Sequence, residues 1–296
     1  MIRILSLMAL LFAAPSLADT VRIETSQGVV EAPAAPEKVA VFDLAAFDSL
    51  AALGVQPVGL VRPVFLSYLE EAAAGTEAVG SLFEPDFEAL FALQPDLIIA
   101  GGRSSEQVPE LARIAPTLDM TISQNTIGDG LARLAAYGKL FGKEGAAAAL
   151  TAEFEAKLAA TRQALAGKGT ALIVMTNGPK ISAYGAAGRF GWLHEALGLP
   201  EAVDGVQMTN HGEAISFEFI REANPDILLV IDRMAAIGQQ SQGARATLDN
   251  ALVHETTAWK TGHIVHLSAA PIYIAGGGIQ SMTLTLDEIN AALVGG

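Results

Sequence analysis

Two segments of the chain repeat one pattern of polar and apolar positions at a distance of 130 residues. The first covers residues 86–103 and the second covers residues 216–233. Each begins with a small polar residue and Phe-Glu, continues through a short apolar stripe to Pro-Asp, and ends with a run of aliphatic residues and an arginine. A repeat of this length predicts that the protein consists of two halves with similar architecture.

The spacing within each segment predicts a helix followed by a buried strand. Asp86 is a favourable N-cap residue, and Phe87, Leu90 and Phe91 then lie at positions i, i+3 and i+4 of a helical stripe. The proline of each segment ends its helix, because the residue before a proline disfavours the helical conformation. The aliphatic runs do not alternate with polar residues, which is typical of parallel strands buried on both faces.

A second pair of strands supports the duplication. Residues 39–43 and residues 172–176 are apolar runs, and each leads towards a helix. The second copy is longer by about a dozen residues, the glycine-rich stretch from Asn177 to Gly188, which we predict to be a loop. This stretch ends on Arg189.

Residues 144–166 are dominated by Ala, Leu, Glu and Lys and predict one continuous helix of about 20 residues, roughly 30 Å long. We therefore predict an α/β protein with two lobes, mainly parallel sheets and one long connecting α-helix. The predicted divisions are an N-terminal lobe at 19–142, the connecting helix at 143–167 and a C-terminal lobe at 168–296. A closing helix is expected near residues 285–293.

The first residues read as an export signal. One positive charge at Arg3 precedes a short apolar run and the small-residue sequence Ser16-Leu17-Ala18. We expect cleavage after Ala18 and a periplasmic location. The chain has no cysteine for a lipid anchor, so we expect the protein to be free in that compartment. Its net charge of −14 argues against nucleic acid and anionic membrane surfaces as partners.

The two arginines that end the repeats suggest a ligand site. Ligands of parallel α/β sheets bind beyond the carboxyl ends of the strands, where Arg103 and Arg233 are expected. If those ends face each other across a cleft, the two side chains form a clamp, and Arg189 is a candidate third member. Guanidinium groups bind oxyanions in a forked geometry and stack on planar groups. This arrangement indicates a planar anionic ligand, although a single arginine after a strand is more often a surface residue.

His211 and Tyr273 are candidate metal ligands because both lie in predicted loops, and a phenolate and an imidazole suit a ferric ion. Taken alone, each is as readily an exposed loop residue. His194 fits a helical pattern and is interpreted as structural. His263 and His266 belong to a predicted strand, where they need not share a face. No cysteine-based or His-x-x-x-His metal motif is present.

Several motifs together resemble the periplasmic substrate-binding proteins of ferric-siderophore ABC importers, in particular the branch for catecholate-type siderophores. The resemblance covers essentially the whole chain after the signal sequence. The motifs that carry it are Gly80-Ser-Leu-Phe-Glu-Pro-Asp86, Pro95-Asp-Leu-Ile-Ile-Ala-Gly-Gly-Arg103, Gly188-Arg-Phe-Gly-Trp-Leu-His194, His211-Gly-Glu-Ala-Ile-Ser-Phe-Glu218 and Asn224-Pro-Asp-Ile-Leu-Leu-Val-Ile-Asp-Arg233.

The resemblance implies a bilobal fold in which an arginine triad binds the anionic ferric complex. Arg103, Arg189 and Arg233 match the triad. It also implies that a histidine and a tyrosine complete the iron shell when the siderophore supplies only four donors, and His211 and Tyr273 match these positions.

The resemblance further implies that one glutamate on each lobe docks onto basic residues of the membrane permease. Glu88 and Glu218 match, although a carboxylate in the first turn of a helix also has a purely local role opposite the helix dipole. The chain departs from the family at Ile272, where an aromatic residue is expected, and this leaves the identity of the siderophore open.

The sequence therefore favours a transport receptor over an enzyme, because it contains no Gly-x-Ser-x-Gly elbow and no His-Glu-x-x-His motif. Glu213 and Glu218 could in principle act as paired carboxylates. Haem is the alternative ligand, since it also requires a Tyr or His ligand and arginines for its carboxylates. We expect a monomer without an intrinsic cofactor, whose ligand carries Fe³⁺.

Overall fold

The computed structural model of the protein describes residues 20–206 and 211–294, so the predicted signal peptide lies outside it. Within these residues, one two-stranded and two five-stranded sheets are formed. The strands are β1 (Thr20–Thr25), β2 (Gly28–Pro33), β3 (Val39–Val41), β4 (Gly59–Leu60), β5 (Glu77–Ala78), β6 (Leu97–Ala100), β7 (Thr117–Asp119), β8 (Ala171–Asn177), β9 (Lys180–Tyr184), β10 (Glu213–Ile215), β11 (Ile227–Asp232) and β12 (Ile264–His266).

Helices connect and cover these strands. They are α1 (Leu44–Ala52), α2 (Glu70–Ala73), α3 (Phe87–Leu93), α4 (Val108–Leu111), α5 (Thr126–Leu140), α6 (Glu144–Leu165), α7 (Trp192–Leu197), α8 (Phe217–Ala223), α9 (Arg233–Ala236), α10 (Gly243–Leu248), α11 (Ala251–His254), α12 (Thr257–Thr261), α13 (Ala269–Ile274) and α14 (Ile279–Leu293). None of the helices in the described ranges is both long and apolar enough to cross a membrane.

The first lobe is built on a parallel sheet with the strand order β5-β4-β3-β6-β7. Both central strands, β3 and β6, are buried along their whole length, which confirms the prediction from their unbroken aliphatic runs. After β3 the chain adds its next strand on one side of the sheet, and after β6 it adds its next strand on the other side. The strand order therefore reverses between β3 and β6. Asp43 follows β3 and Arg103 follows β6 at this point, the usual position of a ligand site in such sheets.

The second lobe contains a mixed sheet with the order β10-β9-β8-β11-β12. Strands β8, β11 and β12 are parallel, whereas β9 runs antiparallel to both β8 and β10. The prediction of a loop from Asn177 to Gly188 was therefore wrong over β9. Gly178 adopts a φ of +60° and lets the chain turn back, and alternate residues of β9 then pack into the core.

The duplicated segments fold alike. Helices α3 and α8 begin and end at positions 130 residues apart. The side chains of Asp86 and Ser216 accept the backbone N–H three residues later, at 2.9 Å and 3.3 Å. Gln94 and Asn224 end the two helices in the left-handed conformation, with φ of 50° and 41°. Both residues precede a proline, which explains why the right-handed helix stops there.

The aspartate of each repeated Pro-Asp pair fixes the next strand against its neighbour. The carboxylate of Asp96 accepts the backbone N–H groups of Glu37 and Lys38, at 2.9 Å and 3.0 Å, just before β3. Asp226 accepts the N–H of Thr170 at 2.8 Å, just before β8. The same interaction thus joins the central strand pair in both lobes and explains why the repeat preserves this residue type.

One feature of the repeat differs from the expectation of a buried helical stripe. In α3, Leu90 is fully buried, but Phe87 and Phe91 are 43% and 75% exposed. The helix contacts the core along only one narrow face, so the two phenylalanines of the predicted stripe remain at the surface. Their spacing along the sequence is that of a core-facing pair, and the sequence alone does not reveal the difference.

The long helix α6 lies between the two sheets in the chain and extends over 22 residues, about 33 Å. This confirms the predicted connecting helix. It packs against α5 and α14. Helix α14 begins at Ile279, earlier than the predicted start near residue 285, because its N-terminus is capped by the side chain of Asp48 from α1. Helix propensity depends only on the local sequence and therefore does not reveal a cap from so distant a residue.

Candidate ligand-binding cleft

A cleft lies between the two lobes, beyond the carboxyl ends of the central strands. It comprises an inner cavity of about 140 Å³ and a wider outer region of about 470 Å³, which share part of their lining. The side chains that characterise it come from both halves of the chain: Asp43, Arg103, Ile122, Gln124, Arg189, Phe190, Trp192, His211 and Tyr273. The two lobes thus confront each other at the site that the strand topology predicts.

Tyr273 is at the centre of this site and lies on the short helix α13, where the sequence had indicated a loop. The sequence Ala-Ala-Pro-Ile-Tyr-Ile forms one and a half turns after Ser268, a length too short to be recognised by periodicity. The backbone carbonyl of Tyr273 accepts hydrogen bonds from Nη2 of Arg103, at 2.9 Å, and Nη2 of Arg189, at 2.5 Å. Two of the three predicted arginines therefore meet on one oxygen atom.

The third predicted arginine, Arg233, contacts the other end of the same tyrosine. Its Nε donates to the Tyr273 hydroxyl at 3.2 Å, and its Nη1 donates to Asn177 at 3.4 Å. Arg233 is the first residue of α9, directly after β11, and Asn177 ends the adjacent β8. The equivalent arginine in the first lobe follows β6. The duplicated positions thus approach one residue from opposite lobes.

The guanidinium groups also contact aromatic rings. The Cζ atom of Arg189 lies 4.3 Å from the centroid of the Tyr273 ring and 5.3 Å from that of Phe190. The Cζ atom of Arg103 lies 5.2 Å from the Tyr273 centroid. These distances are within the range of cation–π attraction. The cleft therefore combines concentrated positive charge with flat aromatic surfaces.

Within residues 20–206 and 211–294, none of the three arginines forms a salt bridge with a carboxylate. Burial, together with the charge of Arg103, lowers the pKa of Arg189. Burial opposes ionisation of the Tyr273 phenol, but the hydrogen bond from Arg233 and the three positive charges outweigh it and lower the pKa of Tyr273. Burial raises the pKa of Asp43, which lines the inner cavity, despite the charge of Arg103. The three guanidinium groups therefore concentrate positive charge around Tyr273 without a paired carboxylate in the described residues.

The segment that follows α13 is anchored in the first lobe. A Cβ atom on Gly277 would come within 2.4 Å of Ile122, and one on Gly278 within 2.6 Å of Asp48. Asp48 accepts the backbone N–H groups of Gln280 and Ser281 at the start of α14, at 2.8 Å and 3.0 Å. Gly277 and Gly278 thus let the chain after α13 pack closely against the first lobe, where the buried Asp48 binds the start of α14.

Asp48 and Trp192 have roles that the sequence interpretation missed. Trp192 forms part of the wall of the inner cavity, and Asp48 joins α1 to α14. An aspartate surrounded by apolar residues within a helix was the available signal for Asp48. For Trp192, the only signal was its position three residues after Arg189.

The structure places His211 and His194 in different environments. His211 is exposed and lines the outer cleft together with Tyr273. His194 is buried, and its Nδ1 contacts the carbonyl of Leu199 at 3.0 Å, which agrees with a structural role. In the part of the chain that the structure describes, no three or more His, Asp or Glu side chains are grouped as a metal site.

Glu88 and Glu218 lie in the first turns of α3 and α8 and are both exposed. They occupy equivalent positions in the two lobes and do not line the cleft. Hydrogen bonds from its own backbone N–H and from Ser216 lower the pKa of Glu218. Both side chains are thus available as surface carboxylates.

Comparison with known proteins finds relatives that are described as binding proteins. A family model described as a periplasmic binding protein matches residues 39–271. The petrobactin-binding protein YclQ of Bacillus subtilis is 35% identical over 281 residues, which cover 93% of this chain and 88% of that protein. Its crystal structure superposes with a TM-score of 0.89, covering 93% of this chain and 99% of the other.

Two further solved structures are similar over nearly their entire lengths. The periplasmic catecholate-siderophore binding protein VctP of Vibrio cholerae is 33% identical, with a TM-score of 0.87, and the match covers 92% of this chain and 100% of VctP. The iron uptake ABC transporter substrate-binding protein PiuA of Streptococcus pneumoniae is 34% identical, with a TM-score of 0.88 and coverage of 93% and 100%.

Proposed function

Because the chain belongs to the periplasmic binding protein family, we propose that it captures an anionic ferric-siderophore complex between its lobes and delivers it to an ABC permease. The observation that carries this proposal is the convergence of three guanidinium groups on Tyr273 without a carboxylate partner in the described residues. Such a cleft favours an anion with several oxygen atoms. The names of the relatives, which refer to petrobactin, a catecholate siderophore and iron uptake, support the same ligand class.

The arginines have a simple role in this proposal. Arg103 and Arg189 donate hydrogen bonds to the oxyanions of the ligand, either in place of the Tyr273 carbonyl or in addition to it. Arg233 adds positive charge from the second lobe. Each charge-assisted hydrogen bond contributes roughly 1.5–3 kcal/mol before desolvation is counted. The repulsion among the cations is relieved when an anion binds, so the positive charge of the cleft favours an anionic ligand.

Tyr273 and His211 are proposed to supply protein ligands to the iron when the siderophore leaves positions open. The lowered pKa of Tyr273 favours the phenolate that a ferric ion prefers. His211 lines the same outer cleft and provides an imidazole. The iron arrives as cargo with its chelator, and no chemical conversion is proposed.

Delivery requires a surface that the permease recognises. We propose that Glu88 and Glu218 provide it by forming ion pairs with basic residues of the permease, one from each lobe. Both carboxylates are exposed, and their 130-residue spacing gives them equivalent positions in the repeat. In this proposal the protein is a periplasmic monomer, exported by a signal peptide that is removed after Ala18.

Haem is less favoured as the ligand, because the related proteins named above are linked to siderophores or iron uptake. Absorbance spectra recorded after mixing with haem and, separately, with a ferric catecholate distinguish the two ligands. An exported hydrolase is disfavoured because the chain belongs to a family of binding proteins. A turnover screen against ester and glycoside substrates checks that alternative.

Tryptophan fluorescence provides the direct test. Trp192 lines the inner cavity, whereas Trp259 stacks on His254 with ring centroids 3.9 Å apart. A panel of ferric chelates that differ in donor number is titrated into the wild-type protein and into Trp192→Phe and Trp259→Phe. We expect saturable quenching by a ferric catecholate that Trp192→Phe largely removes and Trp259→Phe retains.

The arginine clamp is tested in the same titration. Replacing Arg103 and Arg233 together by glutamine is expected to weaken binding of the ferric complex at least tenfold. Arg113→Gln is the matched control, since this side chain is exposed and paired with Glu110 at 2.8 Å. Unchanged affinity in the double variant would reject the clamp.

A further inference from the structure

The surface around Glu88 carries an unusual group of aromatic side chains. Phe83, Phe87 and Phe91 are 62%, 43% and 75% exposed, and no other phenylalanine in the described residues is comparably exposed. Phe87 and Phe91 lie one turn apart on α3, and Phe83 shortly precedes that helix. We call these three residues the aromatic patch.

Folding does not account for the aromatic patch. Helix α3 is held to the core by Leu90, which is fully buried, and by Leu93. Phe87 and Phe91 belong to neither of the hydrophobic clusters of the protein. Clustered aromatic side chains at the surface of a soluble protein are typical of interaction sites, where phenylalanine is enriched.

The patch borders a shallow groove that also contains Glu88. The groove has a volume of about 480 Å³, and its opposite wall is formed by Glu110, Arg113 and Ile114. Glu110 and Arg113 pair with each other at 2.8 Å and largely neutralise one another. Glu88 therefore gives this apolar groove a net negative charge. A complementary partner surface would have an apolar projection beside basic side chains.

The duplicated helix of the second lobe presents different chemistry. Phe217 packs partly into the core of that lobe, and the position equivalent to Phe91 is occupied by Arg221. Arg221 contacts Glu222 at 3.4 Å and forms a charged surface. The two lobes thus share the glutamate position but differ in what surrounds it.

We propose that the aromatic patch docks together with Glu88 on the membrane permease, and that the partner surfaces met by the two lobes differ in character. The first lobe meets an apolar surface flanked by basic side chains, and the second meets a charged surface. This inference rests on the proposed function, because Glu88 is the point at which the patch joins the docking surface. The difference between the lobes fixes the orientation in which the loaded protein is accepted.

The test copies the second lobe onto the first. Phe91→Arg introduces at position 91 the residue type of Arg221, its equivalent in the second lobe. The side chain of Phe91 is too exposed to be required for folding. Val29→Arg is the matched control, because Val29 is 57% exposed and lies on the separate β1–β2 hairpin. Each variant replaces the chromosomal gene in the source cells, and the initial rate of uptake of radioactive iron from a ferric catecholate is measured. Affinity for the same complex is measured by fluorescence titration of the purified proteins.

We expect Phe91→Arg to lower iron uptake at least tenfold and Val29→Arg to change it less than twofold, with ferric-complex affinity unchanged in both. Normal uptake in the Phe91→Arg cells would overturn the inference and leave the proposed function intact. Failure of the wild-type protein to bind the ferric complex would instead overturn the proposed function and, with it, this inference.

Two further measurements test which partner the aromatic patch binds. Arg221→Phe places an aromatic side chain against the charged partner surface and is expected to lower uptake about fivefold or more, whereas unchanged or increased uptake would contradict a difference between the two partner surfaces. Sedimentation analysis of the wild-type protein is expected to show a monomer. A dimer that Phe91→Arg dissociates would assign the patch to a second copy of this chain and overturn the inference.

Discussion

Replacing Arg189 by glutamine is expected to change ligand affinity without weakening the unliganded protein. Nη2 of Arg189 and Nη2 of Arg103 lie 2.5 Å and 2.9 Å from the same carbonyl oxygen of Tyr273, and so are separated by no more than about 5.4 Å. Two unit charges at about 5 Å repel each other by roughly 3 kcal/mol at an effective dielectric constant of about 20. Because both side chains are only half-buried, solvent screening reduces this to about 1 kcal/mol.

This repulsion opposes the local attractions that Arg189 makes. Its removal offsets the loss of one hydrogen bond to the Tyr273 carbonyl, so the melting temperature of the unliganded protein should be unchanged or rise by about 2 °C. The ligand, by contrast, loses one charge-assisted hydrogen bond worth roughly 1.5–3 kcal/mol, which corresponds to about tenfold to a hundredfold weaker binding. Calorimetric melting and fluorescence titration with a ferric catecholate measure the two quantities.

A lysine at position 189 is the matched control, because it keeps the charge but not the planar fork. Arg189→Lys should bind with intermediate affinity. An Arg189→Gln variant that melted several degrees lower and bound the ferric complex as tightly as the wild-type protein would contradict this expectation. That outcome would make Arg189 a structural side chain that holds α13 through the Tyr273 carbonyl.

Two other predictions follow from ionisable groups. The phenol of Tyr273 should ionise below the ordinary tyrosine pKa of 10, and Arg233→Gln should raise that pKa in a spectrophotometric titration; an unchanged titration curve would exclude the proposed electrostatic cause. Burial raises the pKa of Asp48 to about 7, so its contribution to stability is fully present below the unfolded value of 3.8 and is lost as pH rises through about 7. Between about pH 5 and pH 8 the unfolding free energy of the wild-type protein should fall by about 3 kcal/mol relative to Asp48→Asn, and parallel pH profiles from denaturant titrations would contradict this.

The duplicated segments made the fold largely predictable. Their N-caps, prolines and aliphatic runs are local signals, and both copies form the same helix and strand. The strand β9 was missed because Gly178 and Pro179 look like loop residues, whereas the sheet pairing that orders them depends on β8 and β10. The limits of the two lobes in the sequence remain a prediction.

The site was predictable where it lay at strand ends. The positions of Arg103 and Arg233 follow from the carboxyl ends of β6 and β11. Their convergence on Tyr273 could not be predicted, because it depends on the backbone of α13, about 170 residues from Arg103. The anchoring of α14 by Asp48 is equally a long-range contact, and no pattern within either segment indicates it.

Exposure was the least predictable property. Phe87 and Phe91 have the spacing of a buried stripe, and their side chains nevertheless face the solvent. Which face of a seven-residue helix packs inward depends on the elements beneath it, and Leu90 fills that place here. The sequence shows that Arg221 replaces Phe91 in the second copy, but only the structure shows that Phe91 is exposed.

We propose that one anionic ferric complex binds between the lobes and contacts arginines from both. The most direct measurement is an anomalous difference map at the iron edge from crystals grown with a ferric catecholate. We expect a single iron peak in the cleft beside Tyr273, with Arg103, Arg189 and Arg233 around the chelator. An iron peak on an outer surface, with the cleft empty, would contradict it.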